Sequence, residues 1–228
     1  AESYANFPSI SLTGIMQRVT YPVLCRLQTD EQELASTYRS FIKISAFVIF
    51  PLMMMLSALA YPFIILLIGK QWEVSATMLQ ILCFSLMWYP IQAINLSLLL
   101  VKGRSDLSLR LEIIKKIIGV VILCITIPMG IIALCYSRIV MSVLSLFVNT
   151  YYTGKLINHG FISQMTDLLP TILISLGMWA IIMYTNTFTS NLLLQSVIGL
   201  PIGATFYIIC SLLFNRKELN SFLYIFKR

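Results

Sequence analysis

Four long stretches of the sequence contain no charged residue and are almost entirely apolar. They cover residues 44–69, 74–101, 168–185 and 192–214. A helix needs about 20 apolar residues to cross a bilayer, so each stretch predicts a membrane-spanning helix. Of the 228 residues, 58% are hydrophobic and 11% are charged. Soluble domains carry about 25% charged residues, so this composition excludes a soluble enzyme, a disordered chain and a disulfide-stapled secreted module.

Two further spans are predicted on either side of a turn. Pro128 and Gly130 interrupt an apolar region with only one residue between them. Proline removes a helical hydrogen-bond donor and glycine tolerates unusual backbone angles, so this pair predicts a tight turn. The predicted helices cover about 109–127 and 131–153 and form a hairpin.

The first predicted span, about 9–27, is the least apolar. Apolar side chains occupy one broad side of this helix and polar side chains another, which is typical of a helix that lines a wet cavity. After it, Thr29 and Gln32 have the spacing of a Thr-x-x-Gln capping box. An apolar stripe follows, and together they predict a short amphipathic helix on the membrane surface at about 29–43.

The predicted fold is therefore an all-α, polytopic membrane helix bundle with about seven spans. Five spans lie in a first part, residues 1–156. A second part, residues 157–228, contains the last two spans and a cytoplasmic tail. Prolines within the apolar stretches predict kinks, at Pro51, Pro62, Pro90 and Pro201.

The distribution of Lys and Arg predicts the orientation. Thirteen of the 16 basic residues fall in loops or helix ends on one side of the predicted bundle, and only Lys70 lies on the other. Basic loops stay in the cytoplasm, so this side is expected to be cytoplasmic, with the C-terminus there and the first residues outside.

Arg18 and Arg138 are the two cations predicted inside spans. An arginine at the bilayer centre costs at least about 2.5–3.5 kcal/mol, so each is expected to face protein, water or a ligand. Arg18 is interpreted either as an anion-binding residue or as a structural donor to carbonyls exposed by Pro22. Arg138 begins a polar stripe of residues at helical spacing. No membrane-embedded acid is expected to pair with Arg138, which favours a cavity role for it over a structural one. For the serines of the stripe, helix–helix hydrogen bonding is favoured over a cavity role. The stripe continues through Ser142, Ser145, Asn149 and Tyr152.

Further polar residues complete the predicted substrate site. Lys115 and Lys116 lie near one end of a span, and Glu112 is able to pair with only one of them, so at least one cation is left for a ligand or for the membrane interface. Gln92 shares a predicted helix face with Asn95, a second amide residue. The full candidate set is Arg18, Arg138, Lys115, Lys116, Gln17, Gln92, Asn95 and Asn149.

The residue types that are missing limit the function. No Asp or Glu lies at the centre of a predicted span, and there is one histidine, His159. The sequence offers no activated nucleophile, phosphate-binding glycine loop or multi-histidine metal site, so we expect no enzyme, no metal and no cofactor. The five cysteines are expected to be packing thiols. Cations without acids in the spans favour an anionic substrate.

Several stretches resemble the bacterial Wzx-type polysaccharide flippases, which belong to the MOP (multidrug/oligosaccharidyl-lipid/polysaccharide) exporter superfamily. The resemblance is strong for the family, weak for the substrate, and weakest after about residue 155. The stretches are SYANFP at 3–8, LTGIMQRVTYPVL at 12–24, LQILCF at 79–84, WYPIQAIN at 88–95 and VKGRSDLSLRLEIIKK at 101–116.

This resemblance implies a fold of fourteen helices in two lobes plus a terminal pair. The seven predicted spans would be helices eight to fourteen, so the chain is expected to be the C-terminal half of a longer protein. The implied activity is alternating-access transfer of an undecaprenyl-pyrophosphate-linked oligosaccharide across the bacterial inner membrane, with Arg18 as the first candidate for the pyrophosphate. The implied partners are this lipid, the bilayer and polysaccharide polymerase machinery, without nucleic acid. A multidrug and toxin extrusion (MATE)-like cation exporter and a membrane glycan polymerase or transferase remain alternatives.

Overall fold

The computed structural model describes residues 2–189, 191–216 and 218–219, and the regular structure within them is helical. Most of the predicted cytoplasmic tail lies outside the described residues. Two 3₁₀ turns, at 70–72 and 127–129, connect helices. The α-helices are α1 (Glu2–Arg26), α2 (Glu31–Ala58), α3 (Ala60–Ile68), α4 (Glu73–Leu86), α5 (Tyr89–Val101), α6 (Ser105–Thr126), α7 (Ile131–Ile157), α8 (Phe161–Thr187) and α9 (Leu192–Phe214).

The prediction of a separate surface helix at 29–43 is wrong. Helix α2 runs without a break from Glu31 to Ala58, so the supposed surface segment is the first half of a long buried helix. Its apolar stripe includes Leu34 and Tyr38, which are fully buried in the bundle. The cap also differs, because the Asp30 carboxylate accepts the first backbone N–H groups of α2, so the Thr29–Gln32 box is not the cap.

Within the described residues, five helices are long and apolar enough to cross a membrane, whereas seven spans were predicted. They cover Glu31–Ala58, Lys70–Val101, Ile131–Ile157, Phe161–Thr187 and Leu192–Phe214. Helices α1 and α6 have 25 and 22 residues and are long enough to cross, but they are not among the most apolar segments. Their assignment as spans stays a prediction.

Three predicted breaks in the helices are confirmed. The turn at Pro128 ends in Gly130, whose φ of 93° lies in the left-handed region, and it joins α6 to α7 as a hairpin. Near Pro90 the apolar stretch 74–101 divides into α4 and α5, and near Pro62 the stretch 44–69 divides into α2 and α3. By contrast, α2 continues through Pro51 and α9 continues through Pro201, so kinks at these positions stay predictions.

Three prolines leave a backbone carbonyl without its helical hydrogen-bond donor, and a side chain from another helix donates to each of these carbonyls instead. A proline has no N–H, so the carbonyl four residues earlier loses its helical donor. For Pro51, Pro62 and Pro90, that carbonyl accepts a hydrogen bond across a helix interface. The pairs are Tyr207 Oη to the Phe47 carbonyl (2.7 Å), Asn186 Nδ2 to the Ala58 carbonyl (3.2 Å) and Ser9 Oγ to the Leu86 carbonyl (2.8 Å). These bonds join α9 to α2, α8 to α2 and α1 to α4.

Helix α2 lies at the centre of the bundle and α6 at its edge. Large side chains of α2, including Phe50 and Met53, are almost fully buried, and α8 packs along α2 more extensively than any other helix pair. Only Leu107 and Leu111 of α6 are buried. Because α8 packs on α2, the predicted second part lies directly against the first, and the boundary at residue 156 stays a prediction.

Candidate functional site

Helix α1, predicted to line a wet cavity with its polar side, buries part of that side in the bundle. Small polar side chains of Ser9, Thr13 and Thr20 face the bundle, whereas apolar Ile15 and Val19 are more than half exposed. In a membrane, apolar residues lose nothing by facing lipid, and small residues let helices approach closely. The hydrogen bond that Ser9 donates to α4 gives one such residue a direct role in the interface.

Arg18 lies on the exposed side of α1, away from this buried face. At 100° per residue its direction is nearly opposite that of Ser9 and Thr20. It has no ion-pair or side-chain hydrogen-bond partner among the described residues. Gln17, its neighbour, is partly buried and also makes no side-chain hydrogen bond there. The guanidinium of Arg18 is therefore left available to something outside the described bundle.

Arg138 has the acidic partner that the sequence analysis did not expect. Its Nη2 donates to Glu2 Oε1 at 2.6 Å, and both side chains are 59% exposed. The expectation of an unpaired Arg138 is wrong because Glu2 precedes the predicted first span yet belongs to α1, which packs beside α4 and α5. Along α1, Glu2 and Arg18 are about 24 Å apart, so the two arginines do not form one site.

A polar cleft of about 190 Å³ lies beside Arg138, between α7 and the α4–α5 break. We call it the Arg138 cleft. It combines a guanidinium, an amide, three serines and a tyrosine with two apolar residues. Its lining residues are Ser85, Leu86, Tyr89, Gln92, Arg138, Met141, Ser142 and Ser145.

Hydrogen bonds hold the walls of the Arg138 cleft together. Gln92 Nε2 donates to the carbonyl and to Oγ of Ser142, at 3.1 and 3.2 Å. Ser142 Oγ donates to the Ser85 carbonyl at 2.8 Å, and Ser85 Oγ donates to the Arg138 carbonyl at 3.0 Å. The amide N–H of Gln92 and the serine hydroxyl groups therefore bond one wall of the cleft to the other. Gln92 Oε1 and the Tyr89 hydroxyl group have no protein partner among the described residues.

Asn149 and the two lysines lie apart from the cleft. Asn149 is 1% exposed and lies one helical turn beyond Ser145 on α7, with neither amide atom bonded to a described residue. On α6, Glu112 forms its ion pair with Lys115 and not with Lys116. Lys116 is exposed. The structure therefore does not gather the predicted cations around one point.

Asn95 belongs to a buried cluster that the sequence did not predict. The Tyr38 hydroxyl donates to Asn95 Oδ1, and Gln164 Nε2 donates to both, at 2.9 and 3.1 Å. Asn95 Nδ2 returns a bond to Gln164 Oε1 at 3.3 Å. All three side chains are fully buried, and we call them the Gln164 network. Thr153 Oγ1 and the His159 carbonyl lie 3.4 Å from Gln164 Nε2.

An ion cluster closes one end of the Gln164 network. Arg39 donates to both carboxylate oxygens of Asp167, at 2.8 and 2.9 Å, and Lys43 lies 3.3 Å from the same group. His159 Nε2 is 3.3 Å from Asp167. Burial lowers the pKa of His159; Asp167 opposes this, while Arg39 and Lys43 act in the same direction as burial. Asp167 was visible in the sequence only as a carboxylate near a span end, because its partner Arg39 is 128 residues away.

Known proteins resemble parts of this chain in sequence and most of it in fold. The family described as "Polysaccharide biosynthesis protein" matches residues 1–77, which include α1 and Arg18. The lipopolysaccharide biosynthesis protein WzxC of Escherichia coli (strain K12) is 26% identical over 50% of this chain and 23% of its own length. An uncharacterized membrane protein in the cps region of Klebsiella pneumoniae is 28% identical over 51% of this chain and 24% of its own.

The chain is similar to the Wzx-type polysaccharide biosynthesis proteins. A longer match, 20% identical over 93% of this chain and 44% of its own length, is the teichuronic acid biosynthesis protein TuaB of Bacillus subtilis (strain 168). The solved structure of the lipid II flippase MurJ in its inward closed conformation covers 95% of this chain with a TM-score of 0.75 and 19% identity, which establishes a shared fold. This chain spans less than half the length of each of these proteins, and 48% of MurJ.

Proposed function

We propose that this multi-pass membrane chain is the C-terminal half of a Wzx-type flippase of the MOP superfamily. The complete protein would carry an undecaprenyl-pyrophosphate-linked oligosaccharide, such as an O-antigen, capsule or exopolysaccharide unit, from one leaflet of the bacterial inner membrane to the other. It would act by alternating access and without covalent chemistry. Polysaccharide polymerase machinery would receive the product.

The observation that carries this proposal is the free Arg18 on the outer side of α1. A cation on a span is costly unless it meets water, protein or an anion, and Arg18 has no partner within the described bundle. It lies inside the 77 residues that match the polysaccharide biosynthesis family. A first lobe facing this side of α1 would enclose Arg18 in a cavity, where a guanidinium binds pyrophosphate through charge-assisted hydrogen bonds.

The proposed orientation puts the basic loops and the C-terminus in the cytoplasm. Lys102, just after α5, pairs with Glu31, at the start of α2, at 3.2 Å, so two of the basic turns lie at the same end of the bundle. The Arg39–Asp167 pair joins the N-terminal parts of α2 and α8 near this end. The positive-inside rule assigns such an end to the cytoplasm.

The proposed substrate site is smaller than the set of candidates from the sequence. Arg18 and its neighbour Gln17 stay in it because their side chains have no described partner. Asn95 is left out because it is fully buried and bonded within the Gln164 network. Lys115 is held by Glu112, so of the two lysines Lys116 remains the available cation.

Neither alternative function gains support from the site. A MATE-like cation exporter would want an unpaired carboxylate on a span, and the Asp167 carboxylate is held by Arg39 and Lys43. A glycan polymerase or transferase would want an acid or histidine free to act as a base. The single histidine of the chain, His159, is 4% exposed and lies against Asp167.

The test uses the full-length reading frame in a strain that lacks its own flippase and makes the matching lipid-linked glycan. Arg18→Gln removes the charge with little change in size and is expected to lower surface display of the polysaccharide at least about tenfold, because a charge-assisted hydrogen bond to the phosphate is lost. Surface polysaccharide is quantified on cells with equal amounts of flippase in the membrane.

Arg26→Gln is the matched control, since Arg26 is also exposed and lies at the end of α1. Surface display by the Arg26→Gln protein is expected to stay within about twofold of the wild-type level, because exposed residues at helix ends contribute little. Wild-type display by the Arg18→Gln protein would refute the anion-binding role of this residue.

A further inference from the structure

The Arg138 cleft has the chemistry of a sugar site and is remote from Arg18. Tyr89 is 41% exposed, and a tyrosine ring offers an apolar face beside its hydroxyl group. Gln92 Oε1 and the hydroxyl group of Ser145 are acceptors or donors without a described partner. At about 190 Å³ the cleft is smaller than the roughly 300–1,000 Å³ pockets of drug-sized ligands, so it suits a single sugar ring.

The charge of the Arg138 cleft indicates which kind of sugar it fits. Arg138 is the single charged residue among those that line it. Glu2, which is not part of the lining, places one carboxylate oxygen on Nη2 and leaves Nε and Nη1 of the guanidinium without a described partner. Arginine prefers a two-point contact with a carboxylate, and the present contact uses only one.

The Glu2–Arg138 pair is also easy to exchange. Both side chains are 59% exposed, and exposed ion pairs contribute little to stability. A ligand carboxylate that enters the cleft could therefore take the place of Glu2 and reach the free N–H groups of Arg138. The Glu2 carboxylate, in this view, occupies the position that a ligand carboxylate would take.

We propose that the Arg138 cleft binds an acidic sugar, with its carboxylate on Arg138 and its ring against Tyr89 and Gln92. The identification of this sugar as a unit of the carried glycan rests on the proposed function. The binding of an acidic sugar to the cleft is independent of that function. Glu2 then acts as an internal competitor, which holds Arg138 in place when the cleft is empty and is displaced when the sugar binds.

The position of the cleft separates this site from the pyrophosphate site. Glu2 and Arg18 lie on the same helix about 24 Å apart, so one small ligand cannot bridge them. An oligosaccharide extending along α1 would instead place its lipid-linked pyrophosphate and its acidic sugar at different points. Changes at Arg138 and at Arg18 should therefore affect different ligands.

The experiment measures binding of three small probes to the protein made from the full-length reading frame, in lipid nanodiscs, by saturation-transfer NMR and tryptophan fluorescence. The probes are methyl β-D-glucuronide, methyl β-D-glucoside and inorganic phosphate. The acidic glycoside is expected to bind more tightly than either of the others. Arg138→Gln should weaken its binding at least about tenfold, because a hydrogen bond from a charged donor is lost. Glu2→Gln should strengthen binding about two- to fivefold, because a competing exposed ion pair is removed.

Arg26→Gln serves as the matched control and should leave binding of the acidic glycoside unchanged, because Arg26 is exposed at the end of α1 that is far from Glu2. Equal melting temperatures of the variants show that the fold is intact. Equal binding of the two glycosides, tighter binding of phosphate, no binding of any probe, or insensitivity to Arg138→Gln would each overturn the proposal. If the Arg18→Gln protein loses flippase activity but binds the glucuronide normally, the result supports both the proposed function and the acidic-sugar site. If the Arg18→Gln protein keeps normal flippase activity, the result refutes only the proposed function.

Discussion

The Gln164 network and the Arg138 cleft are built from the same residue types but differ in burial. Each contains a tyrosine and a glutamine whose amide group donates to another helix, and each has an arginine–carboxylate pair at its edge. In the Gln164 network, Tyr38, Asn95 and Gln164 are fully buried and bond one another. In the Arg138 cleft, the tyrosine is exposed and its hydroxyl group has no described partner.

This difference separates a polar cluster that stabilises from one that is able to bind. A buried polar group contributes to stability when it is bonded and costs free energy when it is not. The Gln164 network joins α2, α5 and α8 with its amide and hydroxyl groups used internally, so a ligand would have to break existing bonds. The Arg138 cleft keeps unused donors and acceptors beside open volume. Three experiments sharpen this comparison.

The largest effect is expected from exchanging the two glutamines. Gln164→Leu leaves the buried Tyr38 hydroxyl and the Asn95 amide short of partners, and should lower the free energy of unfolding by about 2–3 kcal/mol. Gln92→Leu, the matched change in the cleft, removes one partly exposed donor and should cost under about 1 kcal/mol. Equilibrium unfolding in mixed detergent micelles measures both. Equal costs would contradict the distinction between the two regions.

The tyrosines should show the same order with a smaller difference. Tyr38→Phe removes the hydroxyl group that links Asn95 and Gln164, and is expected to cost about 1–2 kcal/mol. Tyr89→Phe removes a hydroxyl group without a described protein partner and should stay within about 0.5 kcal/mol. The same unfolding measurement applies, and a larger cost for Tyr89→Phe would show that the cleft is a structural element.

The smallest effect is a pH dependence confined to the network side. Burial lowers the pKa of His159 below that of an unfolded histidine, so protonation favours the unfolded chain. The stability contributed by neutral His159 is therefore present above the unfolded pKa and lost as the pH falls below it. Melting temperatures between about pH 8 and pH 5 should decline for the wild type, since histidine titrates in this range.

His159→Asn is the control for this pH dependence. His159 is the only histidine in the sequence, so the decline should become shallower in this variant. Glu2→Gln changes the Arg138 cleft and leaves His159 in place, so it should leave the decline as steep as in the wild type. An identical pH profile for the wild type and His159→Asn would exclude His159 as its cause.

Local patterns predicted much of the helical architecture. The apolar stretches predicted the last three spans, although α8 begins seven residues before the predicted start at 168. Pro128 with Gly130 predicted the α6–α7 turn because proline and glycine act on their own backbone. The segment 29–43 was misread because an amphipathic stripe looks alike on a membrane surface and in a bundle. Only the packing of α8 along α2 shows that this stripe is buried.

The candidate site was predicted in type but not in arrangement. The sequence identified Arg18, Arg138 and Gln92 as unusual in apolar segments, because a polar residue in a span is visible without structure. It missed Glu2 as the partner of Arg138, since these residues are 136 positions apart. It also placed Asn95 with the substrate, because helical spacing does not distinguish a polar face directed into a cleft from one directed into a buried network.

The sequence by itself determined that this chain is a helical membrane protein with basic loops concentrated at one predicted end, and it indicated the polysaccharide flippases. These properties follow from composition, from periodicity and from short motifs, each of which depends on residues close in the chain. The tertiary structure decided which polar groups satisfy one another. Tyr38, Asn95 and Gln164 come together over separations of 57 to 126 residues, and only helix packing fixes such contacts. The same packing leaves Arg18 and the Arg138 cleft open.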